Sequence, residues 1–161
     1  MIGTASDMMT KQVISVKYDD TLKKAIQVLA EKNISGLPVV NDEGMVIGII
    51  TESDIVKFSG KLHVVSGIGS SGWINPYTEV DSKNSVEKGV EILDSTQVHQ
   101  VMNKSVLTVN ASDPGTKVIA MIGKKDINRV PVVDENNVLV GIIARSDIIR
   151  YLAQQPEIDL D

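Results

Sequence analysis

Nearly the same octapeptide is written twice. Gly48-Ile49-Ile50-Thr51-Glu52-Ser53-Asp54-Ile55 returns as Gly141-Ile142-Ile143-Ala144-Arg145-Ser146-Asp147-Ile148, 93 residues later. The same offset carries Pro38-Val39-Val40 onto Pro131-Val132-Val133, Ile34 onto Ile127, Lys24 and Ile26 onto Lys117 and Ile119, Val13 and Val16 onto Val106 and Val109, and Met9 onto Met102. No gap is needed between Met9 and Asp54, so the match is an internal duplication. In a chain of 161 residues this gives two units of about sixty residues, each too small to be stable alone, which are expected to share a core.

Aromatic residues make up only 3% of the chain against 42% apolar, so that core is expected to be aliphatic, built from Val, Ile, Leu and Met. The absence of cysteine excludes disulfides, thiolate metal sites and cysteine nucleophiles. The stretch Met1 to Asp7 has neither a basic start nor an apolar run, and no apolar run approaches the roughly 18 residues of a membrane span. A cytoplasmic chain without signal peptide or membrane partner is expected. Sixteen basic against twenty-one acidic residues give a net charge of −5 with no basic tract, which argues against nucleic acid as the main partner. Isolated cations, Lys11, Arg129 and Arg145, remain to meet a phosphate.

Each unit reads as strand, helix, strand, strand, helix. Val13 to Val16 is β-rich, Thr21 is a helix N-cap, and Leu22, Ala25, Ile26 and Leu29 fall on one helical face. Leu37 to Val40 and Met45 to Ile50 flank the turn formers Asn41 to Gly44 and predict a hairpin, with Pro38 at a strand start or edge because it lacks an amide donor. A helix follows through Ile55, Val56 and Phe58. The second copy predicts a strand over Val106 to Val109, a turn and cap at Asn110 to Pro114, a helical stripe of Val118, Ile119 and Ile122, a hairpin turn at Asp134 to Asn137, and a last helix from Asp147 to Ala153. The organisation is a first repeat over 1–60, a linker over 61–100, a second repeat over 101–153 and a loose acidic tail over 154–161. Within the linker, Ser59 to Ile74 reads as flexible, Ser66 to Gly72 lacks the ending of a P-loop, Val80 to Leu93 reads as an N-capped amphipathic helix, and Trp73 is a candidate anchor.

The repeated corner has two readings. Thr51 followed by Asp54 is a capping box, and an acid in the first helical turn suits the macrodipole. At Asp147 the cap position is Ala144, which has no oxygen to accept a bond, so a cap explains the second copy less well. A strand-to-helix corner also offers helix N-terminal amides to an anion and a carboxylate to the two hydroxyls of a ribose. The residues by themselves leave site and cap both standing. His63 and His99 lack the spacing of a zinc site or a Ser/His/Asp set, and the acid pairs Asp19-Asp20 and Asp42-Glu43 lie in predicted turns.

The ordered set Ile34 to Val40 with Gly48 to Asp54, and Ile127 to Val133 with Gly141 to Asp147, resembles the cystathionine β-synthase (CBS) domain, two of which in tandem form a Bateman module. The resemblance covers 8–60 and 101–153 and includes the openings Met9-Thr10 and Met102-Asn103. It implies an α+β fold, a tandem repeat of two β-α-β-β-α units packed sheet to sheet with pseudo-twofold symmetry, and two clefts that take an adenosyl regulator such as AMP, ADP, ATP or S-adenosylmethionine, with no cofactor and no catalysis. By position it implies that Asp54 and Asp147 hold ribose hydroxyls and that Thr51, Ser53 and Ser146 lie near phosphates. Ile34, Gly36, Leu37 and Pro38, and Ile127, Asn128, Arg129, Val130 and Pro131, would flank the adenine. Thr10 and Val13 would close the Asp147 cleft, and Asn103 and Val106 the Asp54 cleft.

The two clefts are unequal. The Asp147 cleft has Arg129 and Arg145 but Ala144 in place of a hydroxyl, whereas the Asp54 cleft keeps Thr51 but has Gly36 and Glu52 where those arginines stand. A charged nucleotide is therefore expected at Asp147, and at Asp54 weaker binding, a less charged ligand such as a nucleoside, or none. The expected function is regulatory, in a homodimer paired through exposed Ile55-Val56 and Ile148-Ile149 and acting on an unknown protein. The alternative is a dimerisation or scaffold module that binds no ligand, its aspartates serving only as caps.

Overall fold

The structure, a computed structural model, describes residues 2–66 and 89–156, with the side chains of residues 62–66 excepted. The Gly67 to Gly72 stretch, Trp73, residues 80–88 of the expected linker helix and most of the acidic tail lie outside the described residues. In chain order the elements are α1 (Ala5–Met8), β1 (Val16–Lys17), α2 (Leu22–Lys32), β2 (Gly36–Val40), β3 (Val46–Thr51) and α3 (Glu52–Ser66). Then come α4, helical over residues 89–95, a 3₁₀ turn at Val98–Gln100, β4 (Val109–Asn110), α5 (Gly115–Lys125), β5 (Arg129–Val133), β6 (Leu139–Ala144) and α6 (Arg145–Ala153). Two three-stranded sheets result, ordered β1-β2-β3 and β4-β5-β6.

The duplication persists to the level of single hydrogen bonds. Helices α2 and α5 both end on a left-handed residue, Asn33 at φ 51° and Asp126 at φ 52°, where an Asx side chain tolerates that conformation better than most. In the hairpin turns the Asn41 carboxamide accepts from the Glu43 and Met45 amides at 3.0 and 2.9 Å, and Asp134 accepts from Asn136 and Val138 at 2.9 and 3.0 Å. Ahead of the first helix of each repeat, Asp20 accepts from the Lys17 amide and from Lys24, and Asp113 does the same with Asn110 and Lys117.

Two compact units emerge, and neither is one contiguous repeat. One, the Asp147 unit, comprises Met1–Ile14, Val40–Val46 and Ser105–Asp161; the other, the Asp54 unit, comprises Ser15–Val39 and Ile47–Lys104. The core of the Asp147 unit gathers Ala5 and Met8 of α1 with Val109, Val118, Ile122, Val130, Val132, Ile143 and Ile148. The core of the Asp54 unit gathers Val98 with Val16, Leu22, Ala25, Leu29, Leu37, Val39 and Ile50. Both are aliphatic, as expected, and each fully buried Leu or Ile in them contributes about 1.5–3 kcal/mol.

The opening segment of each repeat therefore completes the core of the unit holding the other repeat's helices. In the Asp147 unit Ala5 and Gly115 donate to Asp113 and Gly3 carbonyls at 2.9 and 2.7 Å. In the Asp54 unit Val98 and Leu22 donate to Asp20 and Thr96 carbonyls at 2.8 and 2.8 Å. Each opening then runs along the outer edge of a sheet: Thr10 and Ile142 exchange amide bonds of 2.9 and 3.1 Å, and Asn103 and Ile49 exchange bonds of 2.8 and 3.0 Å. Strands β6 and β3 are thereby not open edges.

This exchange explains where the strands depart from expectation. Val13–Ser15 and Val106–Thr108 are not strand; β1 and β4 are two-residue strands beginning later, at Val16 and Val109. The expected edge position of Pro38 is also corrected, since β2 is central in its sheet and Pro38 is fully buried. Its counterpart Pro131 shows why proline is tolerated. Pro131 lies opposite Ile142, whose amide and carbonyl are used on Thr10, so no donor is needed toward β6. On its other side β4 begins only at the Val109↔Val132 pair.

Other boundaries shift too. The helix after β3 starts at Glu52 and continues to Ser66, through part of the stretch expected to be flexible, and α6 starts at Arg145. Gly60 lies inside α3, and a Cβ there would meet nothing within 4 Å, so packing does not require the glycine. Helix α5 has Pro114 at its N-cap with no side-chain bond; Asp113 folds back on Asn110 instead. Of the two apolar pairs expected on the surface, only Val56 (69%) and Ile149 (67%) are exposed. Ile55 packs on one core and Ile148 is buried in the other.

The glycine of the duplicated octapeptide is required by the crossing segment. A Cβ on Gly48 would sit 2.6 Å from Met102 Sδ and 2.9 Å from the Asn103 carbonyl oxygen, and one on Gly141 would lie 2.8 Å from Met9 Cγ. At Gly48 a backbone atom obstructs; at Gly141 the nearest atoms belong to a side chain that can turn away. Gly48→Ala is therefore expected to cost about 1–3 kcal/mol in urea unfolding, and Gly141→Ala clearly less.

Acid sensitivity follows from two carboxylates. Asp7 is held below the usual carboxylate range by the Thr4 amide and hydroxyl, and Asp113 by the Asn110 amide and then the Lys117 ammonium. A carboxyl depressed in the folded state stabilises above its unfolded value and loses that contribution as pH falls through its folded value. Unfolding midpoints should therefore hold steady from neutrality to about pH 5 and fall below about pH 4, with a smaller fall in Asp113→Asn.

Candidate functional site

Within the Asp147 unit the site is built where β6 turns into α6. Ala144, extended at φ −104° and ψ 167°, is the N-cap, and Asp147 stands at the third helical position. That geometry aims the carboxylate back at the open helix end, where Oδ2 accepts the Ala144 amide at 2.7 Å. Oδ1 accepts the Thr10 hydroxyl at 2.9 Å and the Arg150 guanidinium from one turn further along. At 5% exposure Asp147 is a buried charge, and a buried carboxylate is tolerable only with such donors.

The neighbouring residues fall into two groups. Val130 and Pro131 are buried in β5, and Arg129 lies opposite Ala144 in the β5/β6 register. Arg145 folds onto the loop before β5: its amide donates to the Asn128 carbonyl at 3.3 Å, Nε to the Ile127 carbonyl at 3.2 Å, and Nη2 to Asp126 at 2.5 Å. The arginine expected to meet a phosphate thus braces the Asp126–Asn128 loop. Val13 is half-buried and Ser146 exposed.

Within the Asp54 unit the corner between β3 and α3 is a complete capping box. Asp54 Oδ2 accepts the Thr51 amide and the Thr51 hydroxyl, both at 2.9 Å, and the Asp54 amide donates to Thr51 Oγ1 at 3.3 Å. The Glu52 amide donates to the Ser35 carbonyl at 2.9 Å, tying the corner to the start of β2, where Gly36, Leu37 and Pro38 are buried. Ile34 packs on that core, Asn103 bridges to Ile49, and Glu52 and Ser53 are exposed. Asp54 lines a cavity of about 230 Å³ with Lys57, Phe58, Lys61, Gln100 and Val101. Val106 belongs to the Asp147 unit, packed on a cluster of Val40, Val46 and Val133.

Each aspartate caps its helix, with the amide of Thr51 or Ala144 bonded to it, and each stands where a strand ends and a helix begins. Arg150 was missed by repeat matching because its counterpart is Lys57, although a cation three residues after an acid on a helix is a signal for pairing. Among the described residues no group of His, Asp and Glu is placed to hold a metal. His99 meets Gln97 at 2.7 Å and stacks obliquely near Tyr18. No helix among the described residues is long and apolar enough to cross a membrane.

Two strand-helix-strand-strand-helix units, each completed by the opening segment of the other repeat, define a tandem regulatory-domain pair. The chain belongs to the CBS domain family, whose sequence model matches residues 5–61 and 98–154. It is 32% identical to the uncharacterised protein MJ1426 of Methanocaldococcus jannaschii over 91% of this chain and 89% of that one. Its fold matches the CBS domain pair of protein MJ0100, in complex with 5′-methylthioadenosine and S-adenosyl-L-methionine, at a TM-score of 0.65 and 25% identity, covering 95% of this chain and 98% of that one. A homoserine O-acetyltransferase of Methanococcus vannielii is 28% identical over 88% of this chain, which spans only 23% of that enzyme. CBS pairs thus occur both nearly alone and as parts of larger enzymes.

Thr10 tests how far Asp147 depends on its donors. Thr10→Val keeps the shape and removes the hydroxyl, and should lower stability in urea unfolding by about 1–3 kcal/mol, the range for hydrogen bonds to charged groups.

Proposed function

We propose that this protein is a regulatory sensor that binds an adenosyl compound, of the class of AMP, ADP, ATP or S-adenosylmethionine, at the Asp147 and Asp54 corners and has no catalysis of its own. The observation that carries this reading is the convergence on a buried carboxylate at a helix N-terminus: Asp147, 5% exposed, bonded by Thr10 at 2.9 Å. A carboxylate there suits a ribose diol, and the helix end suits an anion. The ligands of the MJ0100 domain pair support an adenosyl group as the common element. Binding acts by favouring one of two conformations or partners. We place a homodimer contact on α3 and α6, through exposed Val56 and Ile149.

A scaffold reading has one observation in its favour. Both aspartates already serve as caps, with the amides of Thr51 and Ala144 bonded at 2.9 and 2.7 Å. Thermal unfolding in the presence of AMP, ADP, ATP, S-adenosylmethionine or 5′-methylthioadenosine separates the two. A ligand at a hundred times its Kd adds about 2.7 kcal/mol, a rise of several degrees for a chain of this size. The sensor predicts such a rise with at least one compound, abolished when Asp54→Ala and Asp147→Ala are combined. No rise with any compound would leave the scaffold.

A further inference from the structure

The two corners differ in how much of the carboxylate is left for a ligand. A carboxylate offers about four lone-pair positions. Asp147 uses three of them, on the Ala144 amide, the Thr10 hydroxyl and the Arg150 guanidinium. Asp54 uses two, both on Oδ2 and both from Thr51, and no described residue donates to its Oδ1. A pair of adjacent hydroxyls needs two acceptor positions. Asp54 has them as it stands; Asp147 does not.

We propose that Arg150 is an intramolecular latch on Asp147, so that the Asp54 corner is the receptive adenosyl site and the Asp147 corner opens only when Arg150 lets go. The inference rests on reading the corners as adenosyl sites, and it reverses the order expected from Arg129 and Arg145. Thr10 and Ala144 are fixed in place, the first by the Thr10–Ile142 bridge and the second by the strand end, whereas the Arg150 side chain is 59% exposed and free to swing into water. Of the three donors, Arg150 is the one that can leave without unfolding anything. Lys57, its counterpart on α3, lines the cavity beside Asp54 and forms no ion pair with it among the described residues. A guanidinium reaches back as a fixed planar fork; an ammonium on a flexible stem stays hydrated more readily.

The latch makes occupancy sequential: a ligand fills the Asp54 corner first and the Asp147 corner only at higher concentration, where it displaces Arg150. A single duplicated fold would then report two concentration ranges of one compound.

The test is calorimetric titration with AMP of Asp54→Ala, which leaves only the latched corner, and of Asp54→Ala combined with Arg150→Met, which keeps the aliphatic stem and removes the guanidinium. Release of the latch should tighten AMP binding tenfold or more. Unchanged or weaker binding on Arg150→Met would overturn the proposal, the weaker case making Arg150 a phosphate ligand. If no protein in the set takes up AMP, S-adenosylmethionine or 5′-methylthioadenosine, the adenosyl reading falls. The latch is then judged without ligand, by a double-mutant cycle of Asp147→Asn and Arg150→Met in urea: zero coupling overturns it, and favourable coupling upholds it.

Discussion

The structure depends on two short backbone bridges, Thr10 to Ile142 and Asn103 to Ile49. Each seals the outer edge of a three-stranded sheet with a segment that is remote in sequence, and each does so across a residue next to a glycine. The closeness of that crossing sets the rest: a Cβ on Gly48 would meet the Asn103 backbone, and one on Gly141 would press on the Met9 side chain. The residues opposite need no amide toward that edge, which leaves room for Pro131 in the middle of a sheet. The same crossing delivers Thr10 to the buried carboxylate of Asp147. Sheet closure and site assembly are one event.

Exchange of opening segments also answers how units this small persist. A unit of about sixty residues buries too little apolar surface to be secure alone. Here Ala5 and Met8 enter the core around Val118 and Ile143, and Val98 enters the core around Leu22 and Ile50. Neither repeat can complete its core from its own residues, so folding of one is linked to the presence of the other.

Much of this was legible in the sequence, because the duplication preserves positions whose physics is strict. The caps and Asx turns at Thr21, Asn41 and Asp134, and the apolar stripes of α2 and α5, follow from residue type and spacing. The equivalence of Asp54 and Asp147 was legible for the same reason, since they stand at matching places in the two octapeptides. Strand limits were not, because Val13 to Ser15 is β-rich in composition but belongs to the connection between the Thr10 bridge and β1, and composition does not report pairing. The ion pairs of Arg145 and Arg150 were not legible, since a long side chain's partner is set by three-dimensional proximity: Asp126 for the one, Asp147 for the other.

Duplicated sites diverge here by a change of donors around an unchanged carboxylate. At one corner the cap carries a hydroxyl, Thr51, which bonds Asp54 locally and leaves the other oxygen open. At the other the cap is Ala144, and the donors come instead from Thr10, far away in sequence, and from Arg150, one turn along the helix. Local donors are part of the helix start and cannot leave without fraying it. Of the other two, Thr10 is held by its bridge to Ile142, whereas the Arg150 side chain is exposed and can swing away. The duplication therefore supplies two copies of a carboxylate corner that differ in their donors, a local hydroxyl from Thr51 at one and Thr10 with Arg150 at the other.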